Sequence, residues 1–329
     1  MRTMFIFSDG EFHRKDNTVM FDTGERKQFL PINEVNDIMI FGEVSLNKRF
    51  LELCSQEEII LHFFNHYGYY TGSFYPREHL NSGFVLIKQA EHYLQSEKRL
   101  TIAIAFVFGA VRNIRQVLKY YQNRGKDLQS VMQAIEALSL KLADVTNVDA
   151  LMAVEGNIRE QYYKAFDVIL QNPDFLFETR TRRPPKNNLN TLISFGNSIL
   201  YSLILSEIYK THLDPRIGYL HTSNFRRFSL NLDVSEIFKP VIVDRVIFSL
   251  VNERMVSGKD FEKEGNGIFL KESGKKAMIS EMMRKLETTI SHPAVGRAVS
   301  YRRLIRMELY KLEKHIMGEK PYSPFVAAW

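Results

Sequence analysis

Near residue 80 the period of the hydrophobic pattern changes, and that change constrains the fold more than any other feature of the chain. Before it, short apolar runs at residues 3–7, 18–21, 37–41 and 59–63 are separated by the turn signals Ser8-Asp9-Gly10 and Thr23-Gly24-Glu25, with one helical stretch at 46–54. Beyond it, residues 85–94, 102–121, 128–142 and 150–170 repeat their apolar positions at the spacing of an amphipathic helix. The expected fold class is α+β: a small N-terminal β-domain over residues 1–80, followed by a larger all-α C-terminal domain over residues 81–329.

Charge divides at the same boundary. Residues 1–80 hold 8 lysines and arginines against 12 acids; the totals of 44 and 38 then leave 36 against 26 for residues 81–329, a net charge of +10 on the helical part. That asymmetry points to a polyanion held by the helical domain, although a solvated basic face gives the same numbers. The basic residues gather in Arg180-Thr181-Arg182-Arg183, in Arg226-Arg227, and in Tyr301-Arg302-Arg303 with Arg306. Interleaved Phe225, Phe228 and Tyr301 would supply stacking surfaces beside phosphate contacts. Glu308 and Glu313, near the last run, suit an ordinary exposed helix face equally well.

Other classes are narrowed by what the chain lacks. A single cysteine, Cys54, excludes an intramolecular disulfide framework and a cysteine-rich zinc site, and it reads as a small buried apolar residue in a reducing compartment. The apolar run at the N-terminus is too short for a signal peptide, so a cytoplasmic protein is expected. Residues 189–208 are the one membrane-like stretch, but Asn190, Asn197 and Glu207 interrupt it, so it is read as a buried helix at the centre of the helical domain and no membrane partner is expected.

The chemistry concentrates in two places. Leu151, Ile158, Tyr162 and Ile169 recur at helical spacing, and Glu155 falls on the same stripe. A carboxylate on an apolar face needs a basic partner or a metal, and the pattern alone leaves both open. Residues 218–244 contain His221, Asp233 and Glu236. His221 suits a ligand or a satisfied core histidine. Asp233 stands where an N-cap stands before the apolar Ile237, Val241 and Ile242, which puts Glu236 on the first helical turn, free to face inward. Two carboxylates and one imidazole would together suit Mg²⁺ or Mn²⁺, with positions left for water or phosphate oxygens. Tyr162 and Tyr201 read as core, with hydroxyls that would reach a phosphate if they face the pocket.

The order of Glu155-Gly156, Asn190 after RTRRPPKNN, Leu220-His221-Thr222, Leu232-Asp-x-x-Glu-x-x-Lys-Pro240, Val243-Asp244-Arg245 and Ser300-Tyr301-Arg302-Arg303 resembles the CRISPR-associated integrase family called Cas-one, over essentially the whole chain. The resemblance implies a dimerising β-domain and a catalytic, DNA-binding helical domain. It implies Glu155, His221 and Glu236 as ligands of one divalent ion, Mg²⁺ or Mn²⁺, with Asp233 lining the pocket and Lys239 meeting a phosphate. Arg159, Tyr162, Arg182, Arg183, Asn190, Tyr201, Arg226, Arg245, Arg302 and Arg303 become candidates for contact with nucleic acid.

The activity implied is insertion of short DNA fragments into a CRISPR array by attack of a 3′-hydroxyl on a target phosphodiester, with endonuclease activity when water replaces that hydroxyl. The partners implied are DNA, a second copy of the chain, and the companion protein Cas-two. Two other readings stay open. A non-catalytic DNA-binding scaffold explains the basic domain but leaves Glu155 without a reason; a zinc-dependent hydrolase explains the ligands but finds no His-Glu-x-x-His and no cysteine pair.

Overall fold

A computed structural model describes residues 2–16, 18–77, 80, 82–222, 228–292 and 296–328. It divides into two units, Met1–Asn81 and Ser82–Trp329. The N-terminal unit contains β1 (Arg2–Ile6), β2 (Gly10–Lys15), β3 (Thr18–Asp22), β4 (Lys27–Leu30), β5 (Val35–Ile40), β6 (Val44–Leu46), α1 (Lys48–Gln56), β7 (Ile60–Phe64) and β8 (Tyr70–Phe74). One sheet has the order β1-β5-β7-β8 and is parallel except at β8; the other has the order β4-β3-β2-β6 and is antiparallel except between β2 and β6.

β5 lies between two neighbours and is buried along its whole length, so no polar face alternates with an apolar one. Its carboxylate, Asp37, accepts hydrogen bonds from Thr3 Oγ1 at 3.0 Å and Asn36 Nδ2 at 2.7 Å. The helix expected from residue 46 begins at Lys48: Leu46 still pairs with Phe12 in β6, and the Asn47 side chain caps α1 by accepting from the Phe50 N–H. Phe50 then stacks on Phe12 with ring centroids 4.7 Å apart, and Cys54 is fully buried in the same core.

The C-terminal unit is built from α2 (Gly83–Leu94), α3 (Ser96–Gln122), α4 (Gln129–Leu140), α5 (Val148–Leu170), α6 (Asn188–Ile208), α7 (Leu230–Phe238), α8 (Arg245–Asn252), α9 (Glu272–Glu287) and α10 (Tyr301–Ile316). Two ribbons interrupt it, β9 (Phe261–Glu264) with β10 (Gly267–Leu270), and β11 (Thr289–His292) with β12 (Arg297–Ser300). α3 and α6 are long and apolar enough to cross a membrane, and the apolar stretch of α6 is 83% buried within the protein. Its Glu207 is buried and accepts from Arg306 Nε at 2.6 Å.

α7 does not end where a regular helix would. The carbonyl of Glu236 would be bonded by the N–H of residue 240, but that residue is Pro240 and has none, so the ladder widens into a π-turn over Pro240–Asp244, with Asp244 N–H reaching Lys239 O at 3.0 Å before α8 resumes. The next carbonyl, that of Ile237, accepts from Asn113 Nδ2 of α3 at 2.9 Å. Asn113 also bonds the C-terminal segment, donating to Phe325 O at 3.1 Å and accepting from Ala327 N at 2.8 Å.

Candidate active site

Three segments meet on one cluster. Asn147 caps α5 by accepting from Ala150 N, which fixes the phase that places Glu155 and Arg159 one turn apart on the same face. Asp233 and Glu236 on α7 and Lys239 directly after its end lie three residues apart and are all buried. His221 belongs to the loop that leads into α7, and its side chain is 29% exposed.

Asp233 is not the N-cap that its spacing suggested. α7 begins at Leu230, three residues earlier, because the preceding loop is already folded onto it: the N–H groups of Ser229 and Leu230 bond Pro215 O, and that of Asp233 bonds Ser229 O. Glu236 is therefore on the second turn. The Asp233 carboxylate instead organises the loop. Oδ2 accepts from Tyr219 N at 2.5 Å and Leu220 N at 3.0 Å, and Oδ1 accepts from His221 N and His221 Nδ1, both at 2.8 Å. This approach needs Gly218, since a Cβ there would lie 2.9 Å from Asp233 Oδ2 and from the Ser229 backbone.

With Nδ1 committed to Asp233, the other ring nitrogen of His221 faces Glu236, Nε2 to Oε1 at 4.0 Å. Glu236 also receives Arg159 Nη2 on Oε2 at 2.5 Å and the Lys239 ammonium on Oε1. Arg159 Nε meets Glu155 Oε1 at 3.2 Å, so a single guanidinium joins the acids of two helices. Burial alone would raise the Glu236 carboxyl, but Lys239, Arg159 and His221 together hold it down at about 2. For His221, burial acts downward, yet Asp233 and then Glu236 outweigh it and the imidazole is raised. Burial would lower Lys239, but Glu236 beside it raises it.

Behind this cluster the π-turn carries Asp244, whose carboxyl burial pushes up to about 7 against the opposing pull of Arg159. Asp244 Oδ2, Arg159 Nη1 and the Tyr162 hydroxyl are all buried without a hydrogen bond. Asp244 lies inside a motif the sequence offered, Val243-Asp244-Arg245, but nothing in its spacing separated it from a helix-surface acid.

Among the described residues, no group of three or more histidine, cysteine, aspartate or glutamate side chains lies close enough together to hold a metal ion. The donor set nevertheless fits a hard divalent ion in its chemistry. Two carboxylates already share one cation, Arg159, and one nitrogen of the His221 ring faces Glu236 while its partner nitrogen is held by a carboxylate, an arrangement common around metal-bound histidine.

The other candidates are distributed. Tyr201 is half-buried at the cluster, its ring 5.1 Å from Lys239 Nζ. Tyr162 is fully buried on α5. Asn190 is buried and spends its amide on the arginine loop, accepting from Arg180 Nη1 at 2.9 Å and donating to Thr179 O at 2.8 Å. That leaves Arg182 and Arg183 exposed on the same loop, and Arg303 is exposed on α10. Arg245 lies over the rings of Tyr120 and Tyr121, at 3.9 and 5.5 Å. Arg302 is turned inward beside Glu207, 3.8 Å away. Arg226, with Phe225 and Arg227, falls outside the described residues.

Comparison with known proteins follows from this geometry. Residues 4–284 match the family described as CRISPR associated protein Cas1. A protein of Thermodesulfovibrio yellowstonii named CRISPR-associated endonuclease Cas1 2 is 58% identical across 100% of this chain and 99% of its own length. One of Thermotoga maritima named CRISPR-associated endonuclease Cas1 is 49% identical across 98% and 99%. The solved structure of a Thermotoga maritima CAS1 protein superposes with a TM-score of 0.88 at 48% identity, covering 99% of this chain and all of that one. A casposase bound to an integration product shares the fold, with a TM-score of 0.86 at 21% identity over 99% and 93% of the two chains.

Proposed function

The chain belongs to the CRISPR-associated Cas1 family, and from that membership we propose that it is a metal-dependent DNA endonuclease and integrase, inserting short fragments into a CRISPR array. What supports this reading is that one guanidinium, Arg159, joins Glu155 of α5 to Glu236 of α7, and that His221, oriented by Asp233, faces Glu236. Glu155, His221 and Glu236 would hold Mg²⁺ or Mn²⁺, which when bound would supply Lewis-acid activation of a hydroxyl and stabilisation of charge on the phosphate.

The residues of the chain have distinct tasks. Asp233 fixes the His221 ring by accepting from Nδ1–H, which in the neutral imidazole leaves the Nε2 lone pair as the ligand atom. Lys239, held beside Glu236 and facing Tyr201, places a permanent positive charge where a reacting phosphate would sit. Arg182, Arg183 and Arg303 are exposed and would contact the DNA backbone without reading its sequence. We place the protein in the cytoplasm as a homodimer, joined through its β-domains and flanking a dimer of the companion Cas2 protein; solved relatives of the same fold include a complex titled Cas6-RT-Cas1--Cas2.

One observation favours the scaffold reading: Arg159 satisfies both acids as an ion pair, which a protein without chemistry would also do. An integration assay separates the two. Short duplexes with free 3′-hydroxyls are incubated with Cas2 and a plasmid bearing a repeat. The proposal expects branched products from the wild type and none from Glu236→Ala with DNA binding retained; DNA binding without product from the wild type would leave only the scaffold, and equal product from both proteins would remove Glu236 from the chemistry.

A further inference from the structure

We infer that Arg159 is the resident cation of this site, and that a divalent ion enters by displacing its guanidinium from Glu155 and Glu236 towards Asp244. The inference rests on the metal-site reading above.

The argument begins with charge. Glu155 and Glu236 approach one guanidinium from different helices in a largely buried setting: the side chains of Glu236, Arg159 and Glu155 are 6%, 11% and 19% exposed. Two carboxylates so placed repel unless a cation lies between them, and the guanidinium takes that position, with Nε on one and Nη2 on the other. A divalent ion shared by the same acids would bring its charge against the guanidinium at short range in a poorly screened site. Arg159 and the ion therefore cannot both hold the two carboxylates.

A displaced guanidinium this deeply buried needs another anion. Asp244 is suited to that part. Its Oδ2 and Arg159 Nη1 are both buried and unpaired, the Tyr162 hydroxyl flanks the carboxylate, and the Arg159 charge acts on it. The π-turn accounts for the juxtaposition. One additional residue in a turn rotates everything beyond it by about 100° about the helix axis, and the turn exists because Pro240 offers no N–H to the Glu236 carbonyl. The same interruption thus follows the metal-binding acid directly and presents the acid that would receive Arg159.

The test measures Mn²⁺ binding by titration calorimetry, and melting temperature with and without Mn²⁺, on the full chain in the absence of DNA. Arg159→Gln, which keeps the bulk and removes the charge, is expected to bind Mn²⁺ at least tenfold more tightly than the wild type. It should melt lower without the ion and gain more from it. Asp244→Asn is expected to bind Mn²⁺ several-fold more weakly, because the displaced guanidinium has lost its receiving anion. Should Arg159→Gln fail to fold, Arg159→Lys, too short to bridge both acids, is expected to shift affinity in the same direction. Glu236→Gln provides the control. Binding that is lost in Glu236→Gln but unchanged or weaker in the Arg159 variant overturns the displacement and leaves the metal site standing. Binding that Glu236→Gln does not affect, or a wild type that binds no Mn²⁺, overturns both.

Discussion

Asp233 holds His221 at two points with one oxygen: Oδ1 accepts both the backbone N–H and Nδ1–H of the histidine at 2.8 Å, while Oδ2 gathers the N–H groups of Tyr219 and Leu220. Four donors on one carboxylate make asparagine a poor substitute, because its NH₂ would face N–H groups. Asp233→Asn is therefore expected to lose about 2–4 kcal/mol in urea unfolding and roughly 10–100-fold in strand transfer. A variant with wild-type stability and activity would show that the loop holds its shape without this carboxylate.

Asp244 supplies a dependence on pH. Its carboxyl is raised in the folded protein from 3.8 to about 7, so the folded state binds the proton more tightly than the unfolded chain. Its contribution to stability is complete below the unfolded value and declines as pH rises towards 7. Asp244→Asn removes that decline, so urea unfolding at pH 5 and pH 8 should show a larger fall for the wild type than for the variant. Equal falls would place the titration elsewhere.

Asn113 joins α3, the end of α7 and the C-terminal segment through three hydrogen bonds. Asn113→Ala leaves buried backbone groups at Ile237, Phe325 and Ala327 unpaired and is expected to cost about 2–4 kcal/mol. The loss should appear as faster amide hydrogen exchange in residues 230–239 as well as in the tail. Faster exchange confined to the tail would mean that α7 does not depend on this clasp.

Much of this was legible in the chain, and the failures have physical causes. Glu155 stood out because an acid on an apolar stripe requires a partner, and the partner proved to be Arg159, one turn along. The strand-to-helix change near residue 80 was visible in the pattern, but β2, β4, β6 and β8 were not: β2, β4 and β8 mix polar with apolar residues, and β6 has only three residues. Asp233 was misread because Asp-x-x-Glu has the spacing of a helix start, whereas α7 is begun by Leu230 on a loop folded back through Pro215. Asp244 was hidden because a π-turn shifts helical phase, and no periodic template anticipates that shift.

The exposed pair Arg182 and Arg183 tests the electrostatic side. DNA affinity should fall steeply with salt, and the double alanine variant should reduce the slope of log affinity against log salt by about 1–2. A slope identical to the wild type would remove this loop from the DNA surface.

The central claim is that Glu155, His221 and Glu236 act through a divalent ion. Strand transfer by wild type and Glu155→Ala is the direct measure, each assayed in chelator and after addition of Mg²⁺ or Mn²⁺. The account predicts product only from the wild type and only with the ion, with both proteins binding DNA equally; full strand transfer in chelator, or by Glu155→Ala with the ion present, would contradict it.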